Sequence, residues 1–445
     1  MKKVISIALA LLMVAVMLPV MAMADEAPTL QSKIGSANTG DTITLDKDYI
    51  EDITIDKELT IDLNNHNLTN KVGDTITVNA NGNLTITGNG TIDNVTHGKA
   101  ALRIKENGKA TLNGGYFNRS KERGKGASES GENSFYTLIN NGELIINNGA
   151  VVTTASENSE LGRFSSLIEN GYYSHGGSTY YPTLTINGGT FKGGLNTIKN
   201  DDNGITNIYG GKCENYYQAC VQNHHKTTIY NGEFSADVSS AWSVLNCGND
   251  GCKSVDAIHD AHELVIKNGN FKGNVRASVG SVEIEGGSFE ASFTKAENAT
   301  IDISGGTFNS DVTDYAGENT LVVENNGTYH VGDAAQNAVQ NATSGTFTVK
   351  KAENDTSLTV KSGVTIVNNS DITITVNDKK VPNGESYTVP GTITIIVPSD
   401  GGNTTTTPST DNTKNPGTGA NDFVGVAAAM AVVSLLGAAA VIRKK

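Results

Sequence analysis

Apolar and polar residues alternate with a period of two in short runs along most of the chain, as in Leu184-Thr185-Ile186, where apolar positions turn in and polar positions turn out. Each run ends in Gly-Gly or Asn-Gly and is followed by an aromatic or small apolar residue. The pattern recurs as TLNGGYF (111–117), TINGGTF (185–191), IYGGKC (208–213), IYNGEF (229–234), VIKNGNF (265–271), EIEGGSF (283–289) and DISGGTF (302–308), with IINNGAV (145–151) a weaker copy. The second glycines, from Gly115 to Gly306, stand 18, 19, 21 or 22 residues apart, or 34, 37 or 40 where polar insertions intervene. A fixed period of about twenty residues is the signature of a repeat architecture. The glycines predict tight turns that need positive φ or close backbone approach. The Phe two residues later, at 117, 191, 234, 271, 289 and 308, with Cys213 and Val151 at the same offset, predicts an inward ladder.

A second ladder is expected from LINN (138–141), LIEN (167–170), TIKN (197–200), CVQN (220–223) and AIHD (257–260). Asn141, Asn170, Asn200, Asn223 and Asp260 would stack at one turn, hydrogen-bonded along the axis as amides are between in-register strands. These elements predict an all-β coil of parallel strands growing by ~4.8 Å per turn. A one-dimensional core also explains how a body this long avoids the size limit of a single globular core.

TLQSKIGSANTGDTITLDKDYIEDITIDKELTIDLNNHNLT (29–69) and LTITGNGTIDN (84–94) extend this reading. They resemble the opening turns of pectin-lyase-like right-handed β-helices, especially those on Gram-positive surface proteins. The resemblance covers roughly 29 to 310 and implies the handedness. It implies no particular function, because this scaffold carries lyases, hydrolases and non-enzymes.

The ends of the chain bear on location. Lys2 and Lys3 precede an apolar run closed by Ala22-Met23-Ala24, the pattern of a secretory signal peptide over 1–24. Near the other end, Asn415-Pro416-Gly417-Thr418-Gly419 precedes an apolar run, 423–442, and a basic tail. That run is just long enough to span a bilayer with its basic end on the cytoplasmic side. The combination is similar to the sorting signal of Gram-positive cell-wall proteins, with Asn415 where Leu is usual. The resemblance implies a sortase that cuts between Thr418 and Gly419 and joins Thr418 to peptidoglycan, so the membrane is met only before processing.

The expected organisation is therefore a signal peptide (1–24), a parallel β-helix (25–311), a connection (312–328) and a small β-rich module (329–396). A Thr/Pro/Asn-rich linker (397–414) and a sorting signal (415–445) follow. The module is expected to open with a short helical stretch reaching Thr343 and to cap the coil. Formal net charge is −14. Loss of both ends removes five basic residues and one acidic residue and brings it near −18, which argues against nucleic-acid and anionic-membrane partners.

Candidate chemistry is sparse. Asp201-Asp202 is the only adjacent Asp pair, whereas glycoside hydrolysis needs two carboxyl groups flanking the bond. Arg-Ile-Lys (103–105) and Ser-His-Gly-Gly (174–177) precede that pair, the reverse of the order in polygalacturonases, and Arg is scarce. Alignment of the repeats puts His225 at the register of His262 and Gln222-Asn223 at that of His259-Asp260. His225, His259, Asp260 and His262 thus form one candidate metal set. No cofactor is called for, and no Cys-x-x-Cys occurs. Cys247 and Cys252 could close an insertion as a disulfide in an exported chain, while Cys213 and Cys220 read more readily as buried thiols than as a bridge.

Eight of the fourteen tyrosines fall between 172 and 230. Tyr172, Tyr173, Tyr180, Tyr181, Tyr216, Tyr217 and the lone Trp242 sit in or beside insertions, where planar rings with polar tips suit sugars or protein surfaces. The expected function is a wall-attached adhesin or display scaffold contacting glycans or host surface proteins, without catalysis. The alternative is a polysaccharide lyase or hydrolase on the same scaffold.

Overall fold

The computed structural model describes residues 28–120, 135–154, 166–172, 179–236, 241–246 and 262–391. The chain winds through three strand positions per turn, and successive turns pair in parallel to build three long sheets. Sheet A runs from Thr42–Thr44 to Ala299–Ile303, the parallel part of sheet B from Tyr49–Ile50 to Gly306–Phe308, and sheet C from Ile53–Ile55 to Phe293–Lys295. This is a right-handed parallel β-helix, followed by a small β-rich module.

The alternation read from sequence sets the register. In sheet A, Ile146, Ile186, Ile208, Ile229 and Ile266 pair in sequence and are buried, while Thr185 and its partners face out. In sheet B, Phe234, Phe271, Phe289 and Phe308 stack with ring centroids 4.9, 4.6 and 5.0 Å apart. Cys213 fills the same inward row between Phe191 and Phe234. In the weak copy, Val152 and not Val151 takes the place opposite Phe117. Its A-to-B turn, residues 147–150, is one residue longer than the three-residue turn of the strong copies, so the inward position moves by one.

Gly189 shows why the turn needs glycine. Its φ is +102°, and a Cβ there would lie 3.2 Å from Cζ of Phe191 and 2.9 Å from the Ala150 carbonyl oxygen.

The amide ladder exists, with two corrections to its membership. It consists of Asn140, Asn170, Asn200, Asn223 and Asn246, each donating from Nδ2 to Oδ1 of the next at 2.7, 2.8, 2.9 and 2.7 Å. Asn140 pairs with Asn170, so Asn141 stands one place outside the row and donates instead to the Gly171 carbonyl. At the far end Gln222-Asn223 pairs with Leu245-Asn246 rather than with His259-Asp260. The Leu245-Asn246 strand lies before the 247–262 insertion, and AIHD lies within it.

Both ends of the coil are closed. A helix at Leu30–Ser36 buries Leu30 and Ile34 against the first turn. The Gln31 side chain accepts from the Thr54 N–H at 2.7 Å and donates to its carbonyl at 3.3 Å, satisfying a strand edge. At the other end, Thr328–Val331 pairs antiparallel with Gly306–Phe308, and Val322–Asn325 pairs antiparallel with it in turn. This hairpin lies largely in the segment read as a connection. Asn326-Gly327, both at positive φ, is the hairpin turn, and it falls outside the repeat. Val322 joins the core of the coil and Val323 the core of the module. A helix at Asp333–Asn341 buries Ala335 and Val339 in the module.

Candidate functional site

Turn lengths single out one face. The A-to-B turns hold only two to five residues throughout. Long insertions fall on the other two corners: 94–101, 119–137 and 153–167 from B to C, and 171–182 and 247–262 from C to A. Both corners border sheet C. Its outward central row runs Thr77, Arg103, Ile139, Glu169, Lys199, Gln222, Leu245, Arg276 and Thr294.

The tyrosines divide between the two rims of that sheet. Tyr172, Tyr180 and Tyr181 lie on the C-to-A side and Tyr216 and Tyr217 on the B-to-C side; Trp242 begins a sheet C strand. A strand of four or five residues spans about 13–17 Å, so the expected single patch is two rims with a floor between them. Tyr181 and Tyr217 are exposed, at 51% and 41%. Tyr172 donates to Glu106 at 2.7 Å and Tyr216 to Glu214 at 2.9 Å, and both are partly buried. Tyr173, Cys247, Cys252, His259 and Asp260 lie outside the described residues, as do the signal peptide, the linker and the sorting signal with Asn415 to Gly419. Among the described residues no helix is long and apolar enough to cross a membrane.

Tyr209 and Tyr230 form an exposed stack on the A-to-B edge, 4.4 Å apart and 8° from parallel. Their faces cover each other, so the pair offers edges and hydroxyls rather than a platform for a sugar ring.

The floor carries a charge cluster that the sequence reading only touched through Asp201-Asp202. Glu169 is 6% exposed and hydrogen-bonds Tyr136. Burial, then the nearby Asp201 carboxylate, raise its pKa to about 8, against the opposing pull of Lys199 and Arg103. Lys199 is paired with Asp201, and Arg103 with Asp74 at 2.6 Å. Asp201 and Asp202 are 3% and 5% exposed. Phe135 lies beside both Arg103 and Arg119, with the guanidinium carbons 5.6 and 5.9 Å from its ring centroid. Arg119 is itself buried and donates to the carbonyls of Lys99, Thr96 and Phe135. It thereby ties together the two ends of the 119–137 insertion.

A carboxyl group with a raised pKa favours the fold where it is neutral. The stability it lends is full below its unfolded value near 4.5 and is lost as pH rises through about 8. Glu169→Gln keeps the neutral form at every pH. In chelator-containing buffer the variant should melt several degrees above the parent at pH 9, and the gap should close by pH 4. Parallel melting curves across this range would refute the assignment.

The expected histidine set is half in view. Lys226 pairs with Glu263, so His225 and His262 share a register, and both are buried. His225 packs beside the Tyr181 ring at 5.7 Å. Cys213 and Cys220 are free buried thiols. Each donates to the other's carbonyl, at 3.5 and 3.6 Å, and burial pushes the Cys213 thiol up.

The fold thus defines a class, the right-handed parallel β-helices, with one decorated and charged face. No family model matches the chain, and neither a curated protein nor a solved structure matches it.

Proposed function

We propose that this chain is a cell-surface β-helical adhesin or display scaffold whose sheet C face contacts glycans or host surface proteins without catalysis. The observation that carries the reading is the placement of every long insertion, and of Tyr181 and Tyr217 on opposite rims, around one sheet. Irregular segments held by a rigid scaffold are where binding residues concentrate. The sequences of the two ends support export through the signal peptide and attachment to peptidoglycan by a sortase at Thr418. A glycan array probed with the purified full-length chain tests the reading. Tyr181→Ala with Tyr217→Ala should weaken binding roughly tenfold or more, the loss of ~1.4 kcal/mol that two aromatic contacts readily supply. Undiminished binding would move the site elsewhere.

One observation favours a second reading, a wall-attached polysaccharide lyase or hydrolase. Glu169 holds its proton at neutral pH beside the Asp201 carboxylate, which is the pairing of a general acid with a second carboxylate that glycoside hydrolysis uses. Incubation with pectins, uronans and mucin glycans separates the two. New unsaturated or reducing ends, abolished by Glu169→Gln, would replace the scaffold reading with the enzymatic one.

A further inference from the structure

We propose that Asp201, Asp202 and His224 form a binding site for a divalent transition-metal ion, zinc foremost. The coil register builds the site. Asn200 pairs with Asn223, so the next residue on each turn, Asp201 and His224, fall side by side. Their backbones are fixed there: the Asp201 N–H donates to the Asn170 carbonyl and the His224 N–H to the Asn200 carbonyl, both at 2.7 Å. The turn carrying the two carboxylates is closed by the Gly204 N–H on the Asp201 carbonyl at 3.0 Å. It is locked from inside by Asn200 Nδ2 on the Gly204 carbonyl at 2.8 Å.

One ligand atom from each of the three side chains lies within 4.8 Å of the others, the only such group of three or more among the described residues. Zinc bonds oxygen and nitrogen at ~2.0–2.2 Å, so tetrahedral ligand atoms stand about 3.3–3.6 Å apart. Small side-chain rotations close that difference. Two carboxylate oxygens with one imidazole nitrogen suit zinc and its first-row neighbours, whereas calcium and magnesium take all-oxygen shells. The carboxylates are nearly buried, which strengthens their attraction for a cation, and His224 is only partly buried, leaving a side open to solvent. Lys199 holds Oδ2 of Asp201, and Oδ1 is the oxygen assigned to the metal. The site stands whether or not the surrounding face binds glycans.

The test uses the full-length chain purified without a polyhistidine tag, stripped with chelator and titrated with zinc chloride by calorimetry. The expected result is a zinc site that Asp202→Asn and His224→Gln each weaken at least tenfold, while His66→Gln, in the A-to-B turn between Glu58–Asp62 and Leu68–Thr69, binds like the parent and calcium gives no saturable binding. Wild-type affinity and stoichiometry in both Asp202→Asn and His224→Gln overturn the proposal, as does failure of the parent to bind zinc. Should either variant misfold, X-ray absorption at the zinc edge of the parent decides. Oxygen and nitrogen neighbours at ~2.0–2.1 Å with imidazole scattering support the site, and sulfur neighbours or no imidazole signature sink it.

Discussion

Asn200→Ala should lower the stability of the coil by about 4 kcal/mol or more, among the largest effects open to a single substitution here. Asn200 is wholly buried, and its amide uses every group it has. The two Nδ2 hydrogens are shared among the Gly204 carbonyl, Asn223 Oδ1 and the Lys226 carbonyl, at 2.8, 2.9 and 2.9 Å. Oδ1 accepts from Asn170 Nδ2 and from the Thr206 hydroxyl at 2.8 and 2.7 Å. Removing the side chain leaves these partners buried with fewer bonds, and in a low-dielectric network each loss is costly. Asn141→Ala is the control. Among the described residues its side chain makes one hydrogen bond, to the Gly171 carbonyl at 2.6 Å, so about 1 kcal/mol is expected. Urea unfolding followed by circular dichroism compares them; equal midpoint shifts would contradict the ladder as drawn.

Phe289→Ala should cost about 3–5 kcal/mol, the usual toll of an emptied aromatic site in a packed core. Phe289 is 2% exposed, stacks on Phe271 and Phe308, and also touches the Phe293 ring at 5.7 Å. Tyr209→Ala breaks a stack of similar geometry on the outside of the same coil, but Tyr209 is 47% exposed. Its loss should cost no more than about 1 kcal/mol. Thermal unfolding of the two variants measures how much of the stabilisation is burial and how much is ring stacking. A Tyr209 effect as large as that of Phe289 would assign it to stacking.

The fold was legible because its determinants are local and repeated. Leu184-Thr185-Ile186, Gly189 and Phe191 state one coil, and each copy confirms the others. What was misread sat where the repeat is interrupted. Asn246 is hidden from a tetrapeptide search because its own tetrapeptide, SVLN, has Leu245 where the other copies have a polar residue, while AIHD within the insertion fits the pattern. Asn141 and Asn140 are neighbours in sequence, and only the pairing of Leu138 with Ile168 separates them. The charge cluster was barely legible for a different reason. Glu169, Lys199 and His224 come from separate turns, and nothing in the order of residues says that they share one face. Asp201-Asp202 was visible as a pair, but its partner His224 is a neighbour only through the ladder of Asn200 and Asn223.

The unbroken A-to-B corner has a consequence for how such a chain can change length. Every turn there is short and the second glycines of the repeat from Gly149 to Gly306 pack against the turn below, as Gly287 does against the Gly269 carbonyl, whose oxygen would lie 2.9 Å from an added Cβ. That edge behaves as a spine that fixes the pitch, while the other two corners accept additions of any size. Gain or loss of one whole coil, such as the 18 residues from Gly269 to Gly287, would shift everything beyond it by ~4.8 Å without altering a single side-chain orientation. Reach and decoration are therefore separate variables in this molecule, one set by the number of coils and the other by what is spliced in beside sheet C.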